Sequence, residues 1–216
     1  NTSAANATAV GTLAIANKIS SSAYGTGAAA IGERSMAFGA SALANQQNTT
    51  AMGTFARATG AYASSYGTNA NASAIAAMAF GSGAKATATT AIAFGTNTSA
   101  TAANTVVLGT DGLASAEDAT SVGYGAQAKG VDTIAIGKSA LANFLDAVAV
   151  GSDAKATNTG ALAVGDAAEA SGAQSSSFGT GSTASGKEST AVGYQTVASA
   201  EDSSAFGKGS TASGKE

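Results

Sequence analysis

Ser204-Ala205-Phe206-Gly207 closes a stretch of chain that recurs fifteen times. Its counterparts end at Gly11, Gly25, Gly39, Gly53, Gly67, Gly81, Gly95, Gly109, Gly123, Gly137, Gly151, Gly165, Gly179 and Gly193. Neighbouring glycines are always 14 residues apart, with no insertion or deletion. A period held that strictly is the signature of a repeat architecture. Counting from the closing glycine as position 0, the residue before it, position 13, is apolar or aromatic in every repeat, from Val10 and Tyr24 to Phe206. Position 5 is always alanine, from Ala16 to Ala212. Position 12 is Ala, Ser or Val throughout.

Charge obeys the same columns. The 10 Lys and Arg and the 13 Asp and Glu all fall at positions 1, 2, 4, 6, 7, 8 and 9. None falls at 0, 3, 5 or 10 to 13. Such a partition separates dry positions from wet ones. Fourteen residues are too few for a helical hairpin, whose repeats run to about 33 residues or more. Two short strands and two turns do fit. Positions 10 to 13 read as one strand and positions 2 to 6 as the other, with alternate residues of the second wet. Glycine at position 0, and often at 2 and 7 (Gly27, Gly83, Gly125 and Gly181; Gly60, Gly130, Gly172 and Gly186), marks turns that take positive φ. The expected fold is all-β: a parallel β-roll, or solenoid, of about fifteen 14-residue coils forming a single repeat domain over residues 1–216.

Position 11 is Thr, Ser or a medium apolar residue such as Met78, Ile92 or Val148. Positions 11 and 13, with positions 3 and 5, are expected inside the roll. Positions 10 and 12 then face outward, yet they carry no charge in any repeat. The predicted reason is an interface: small side chains such as Ala23, Ala37 and Ala51 let sister chains approach, giving a symmetric homo-oligomer.

Composition narrows the chemistry. The sequence has no Cys, His, Pro or Trp, and its net charge is −3. The usual soft nucleophiles and general bases are missing. No basic stripe for nucleic acid exists, and no apolar run approaches the ~20 residues of a membrane-spanning helix. Acidic pairs such as Glu117-Asp118 and Glu201-Asp202 read as solvated turn charges rather than a catalytic dyad or calcium site. Gly81-Ser82-Gly83 and Gly179-Thr180-Gly181 read as turns, since no helix follows them. We expect no enzyme activity, no cofactor and no metal. Asn1 opens directly into the repeats and Gly214-Lys215-Glu216 stop within one, so the chain reads as part of a longer protein.

Thr190-Ala191-Val192-Gly193, Ile134-Ala135-Ile136-Gly137 and Val148-Ala149-Val150-Gly151, followed by runs such as Ser182-Thr183-Ala184-Ser185-Gly186, resemble the head repeats of YadA-like trimeric autotransporter adhesins. The resemblance covers essentially the whole chain. It implies a left-handed roll, three intertwined chains, and display on the outer membrane of a Gram-negative bacterium, without membrane insertion by this segment. It also implies attachment to collagen, fibronectin, laminin, cells or abiotic surfaces. The candidate contacts are apolar residues on columns that elsewhere hold charge: Leu13, Ile15 and Ile19 in the first coils, and Leu141, Phe144 and Leu145 in one later coil. The runner-up reading is an ice-binding solenoid. Position 1 is Thr in Thr12, Thr26, Thr54, Thr68, Thr96, Thr110 and Thr180, but Tyr124, Lys138, Asp166 and Lys208 interrupt that column. A pectin-cleaving β-helix would need longer coils and a charged cleft.

Overall fold

A computed structural model describes Thr2 and residues 4–214; Lys215 and Glu216, two of the charged residues in the column pattern, lie outside that range. The chain divides into two compact units, residues 1–111 and 112–216. Each is a parallel β-solenoid with one coil per 14-residue repeat. In the first unit, three-residue strands from Thr8–Val10 to Val106–Leu108 stack in one sheet, and two-residue strands from Ile15–Ala16 to Ser99–Ala100 stack in the other. The second unit repeats this plan, with three-residue strands from Thr120–Val122 to Ser204–Phe206 and two-residue strands from Leu113–Ala114 to Thr211–Ala212. Pairing is parallel and each residue meets its own position one coil on, as in Met78↔Ile92, Ala79↔Ala93 and Phe80↔Phe94.

The strands are shorter than the expected spans because the turns take more of the coil. The position-3 amide donates to the position-0 carbonyl, as from Ala14 to Gly11 at 3.2 Å. The position-10 amide donates to the position-7 carbonyl, as from Ser21 to Lys18 at 3.1 Å. The third residue of each turn, at positions 2 and 9, has φ between 52° and 68°, as a type II turn requires. Turns are also bonded coil to coil: the Gly27 amide donates to the Thr12 carbonyl at 2.8 Å, and that of Asp132 to Glu117 at 3.1 Å. Backbone donors are therefore satisfied around the coil as well as along the strands.

The position-7 glycines correct one expectation. Gly60, Gly130, Gly172 and Gly186 are not left-handed. They are small because the next coil is close: a Cβ on Gly60 would lie 2.0 Å from the Ala74 carbonyl oxygen. The left-handed site of that turn is position 9. It holds Asn or Asp, which tolerate positive φ, in seven of fifteen coils, but also residues as unlike them as Tyr62 at 62°. At position 2, Phe55 takes 58° while its side chain is exposed. Phe55→Gly is accordingly expected to stabilise the fold by about 1 kcal/mol, read by denaturant unfolding. No gain would mean that the phenyl ring makes a compensating contact.

The larger correction concerns inside and outside. From Ala14 to Ala205, positions 3, 5, 10 and 12 are all buried, and their side chains are at most 4% exposed. They point into the roll. Positions 11 and 13 point out: Ile136 is 39%, Phe94 56% and Phe206 67% exposed. The expected orientation of positions 11 and 13 against 10 and 12 is thus reversed. Two sheets joined by four-residue turns enclose room for small side chains only: Ala and Ser, some Thr, and Val107, the largest fully buried side chain among the described residues. Alanine supplies most of this core. Buried hydroxyls are satisfied locally: Ser35, Thr133 and Ser175 each donate to the position-7 carbonyl of their own turn (Gly32, Gly130 and Gly172) at 2.7 Å. Ser65 donates across the roll to the Ala70 carbonyl at 2.8 Å. Each hydrogen bond offsets the cost of burying its polar group.

Candidate functional site

Two kinds of surface follow from this layout. The first is the outer face of the three-residue strands. Side chains at positions 11 and 13 alternate with buried ones, so both project from the same face. Identical positions stack at ~4.8 Å between coils, and aromatic rings follow that spacing. Tyr24 and Phe38 stack with centroids 4.6 Å apart, as do Tyr66 and Phe80, and Phe80 and Phe94 lie 5.8 Å apart. Met36, Met52 and Leu108 are exposed on this face of the first unit, and Ile134, Ile136 and Phe178 on that of the second. No position-11 or position-13 residue is charged. Position 11 is Ser or Thr in eight of the fifteen repeats. The face of each unit is thus uncharged and carries one large apolar side chain per coil at position 13, with more at position 11 in places. Exposed apolar patches of this kind are common at protein contacts. The uncharged alanines and serines of positions 10 and 12, expected to form the contact between copies, are instead uncharged because they fill the chain's own interior. The strand proposed to meet sister chains is the same; the side chains that would do so are the other set.

The second surface is formed by the turns and the outer side of the two-residue strands, where the charges lie. Glu117 and Asp118 are both exposed turn residues. Lys187 bridges Glu188 at 2.8 Å and Glu201 at 3.7 Å. The hydrogen bond and charge of Glu188, then the more distant Glu201, raise the Lys187 ammonium pKa above its ordinary value. These groups are in water, so the pairing adds little to stability.

The six candidate contact residues lie on this second surface, but not in one place. Leu13, 80% exposed, sits in the turn Gly11–Ala14, and Ile19 in the opposite turn, Lys18–Ser21. Ile15 lies between them on the outer side of the strand Ile15–Ala16. Phe144 and Leu145 share one turn and are both exposed, while Leu141 is half-buried on the adjoining strand Leu141–Ala142. Val131 joins Phe144 and Leu145 only in the folded chain. It occupies position 8, as Leu145 does one coil on, and is exposed beside it. Phe55, Tyr62, Ile75, Tyr124 and Tyr194 are further exposed residues on turns. Their sequence signal is the same as that of Phe144 and Leu145: a large apolar side chain on a column that elsewhere carries charge.

The sequence profile of the YadA head domain repeat (2 copies) matches residues 30–56, 86–111, 114–140, 145–168, 156–182, 170–196, 184–210 and 198–216. No curated protein matches the chain.

Proposed function

Because the chain belongs to the YadA head domain family, whose members are adhesins rather than enzymes, we propose that it is the adhesive head of a trimeric autotransporter displayed on the outer membrane of a Gram-negative bacterium. In this reading the fifteen coils form one repeat domain, wound left-handed, and three chains associate through the apolar faces of positions 11 and 13. The head attaches to extracellular matrix proteins such as collagen, fibronectin or laminin, to cells, or to abiotic surfaces.

The observation that carries this reading is the division of side chains. Each coil spends its small residues on its own core and leaves its large apolar residues outside. A chain that folds without burying its largest apolar groups gains most by burying them against copies of itself. Cyclic symmetry would place three such faces around one axis and leave the turns outermost. Turns repeated along each chain then offer many weak contacts at once, and avidity exceeds the strength of any single one.

Beads carrying the head test the adhesive part. They should be retained under flow on surfaces coated with collagen, fibronectin, laminin or bare polystyrene, at least ten times better than beads carrying an equal mass of chain held monomeric by substitutions in the apolar face. Equal retention of the two would rule out multivalent attachment, and no retention on any surface would refute the adhesive reading.

A further inference from the structure

Val131, Phe144 and Leu145 form an exposed apolar patch on the turns of two successive coils. The coils are in close register there. The Asp146 amide donates to the Val131 carbonyl at 3.1 Å, and a Cβ on Gly130 would lie 2.4 Å from the Phe144 carbonyl carbon. Beside the patch runs a column of carboxylates. Asp118, Asp132 and Asp146 occupy position 9 of three consecutive coils, and Glu117 precedes the first of them. All four are exposed. The cation closest to them along the chain is Lys129, at position 6. The patch therefore has an apolar half and a strongly acidic half, side by side.

We propose that this turn edge docks a basic amphipathic helix of a partner protein, with its cations on the aspartate column and its apolar row on Val131, Phe144 and Leu145. The proposal rests on the adhesive reading and names a contact for it. Charge chooses the sign of the partner, and spacing chooses its conformation. Successive carboxylates stand ~4.8 Å apart, so three span about 10 Å. On a helix, side chains at i and i+3 or i+4 are about 5–6 Å apart, and i to i+7 covers about 10.5 Å. Same-face residues of an extended strand are about 6.7 Å apart and would drift out of step by the third contact. A helix laid along the stack also presents an apolar row beside its basic row, as recognition by an amphipathic helix requires.

The test uses a labelled helical peptide of about 18 residues, with Lys at i, i+4 and i+7 beside a Leu row, titrated with the intact head by fluorescence anisotropy. One control peptide carries Glu for Lys, and another carries a central Pro that breaks the helix. The Lys peptide should bind, and at least 10-fold more weakly when salt rises from about 50 to 300 mM. The triple variant D118N/D132N/D146N, whose asparagines also tolerate positive φ, should lose at least 10-fold, and so should V131S/F144S/L145S. Absence of binding, equal binding of either control peptide, or unchanged affinity in both variants would overturn the proposal. So would loss of self-association in V131S/F144S/L145S, which would assign the patch to the contact between copies. Bead retention under flow keeps the two readings apart. A head that is retained on coated surfaces but ignores the peptide loses this contact and keeps its adhesive role. A head that binds the peptide yet is retained nowhere loses the adhesive reading.

Discussion

Gly137→Ala is expected to be among the most damaging single changes to this chain, costing about 4 kcal/mol of unfolding free energy. The added Cβ would lie 2.2 Å from the Gly151 carbonyl oxygen and 2.5 Å from its carbonyl carbon. Both are backbone atoms of the next coil and cannot rotate away. The φ of Gly137 is 131°, a region open in practice to glycine alone. Relief would require the coils to separate, and that would break the strand and turn hydrogen bonds that join them. Gly209→Ala is the matched control. Gly209 also has positive φ, at 67°, but a Cβ there meets nothing within 4 Å. It should cost about 1–2 kcal/mol, the ordinary penalty of a left-handed alanine. Denaturant unfolding of the two variants decides the matter. If Gly137→Ala is no worse than Gly209→Ala, contact between coils is not what requires the glycine.

Ile136→Glu combined with Val150→Glu should leave the chain folded and abolish its self-association. Both residues are at position 13 and are register partners on successive coils. Their side chains project from the roll, so glutamate can remain solvated in a lone chain. In an assembly the same carboxylates would be buried against an apolar face and, under cyclic symmetry, brought toward their own copies. Association should weaken by at least 100-fold, about 3 kcal/mol. Sedimentation velocity reads the mass and circular dichroism the fold. Ala135→Glu, one residue away, should do the opposite. Ala135 is 0% exposed, and an ionised group in that core has no partner, so the coil itself should fail. An unchanged oligomer in the double variant would remove the apolar face from the subunit contact. A well-folded Ala135→Glu would contradict the reversed assignment of faces.

That reversal shows where sequence reading stops. Coil length, two strands per coil, glycine at the closing turn and parallel stacking were all legible from a 14-residue period and a column partition of charge. The choice of inward face was not. Side chains alternate along a strand, so shifting the assignment by one residue exchanges the two faces. In most domains the large apolar set is the inner one, and on that ground the sequence alone puts Phe80, Phe94 and Ile136 inside. The opposing clue was the column of invariant alanine at position 5 and its small counterpart at position 12. Nothing larger than a valine, and that only at Val107, is buried where those columns meet.

The turns show the same limit. Asn48, Asn104, Asp118 and Asp132 at position 9 are what a left-handed site attracts, but Arg34 and Tyr62 in the same column hide the preference. The contact residues were partly visible. Phe144 and Leu145 stand out as apolar among charges, but Val131 joins them only when one coil is laid on the next.

By itself, then, the sequence determined the period, the turn glycines, the dry columns and the family, because each is a property of residues recurring at equal intervals along the chain. The tertiary structure decided which dry columns face the chain's own core and which face outward. That choice depends on the width of the space between two sheets, a distance that no periodicity encodes.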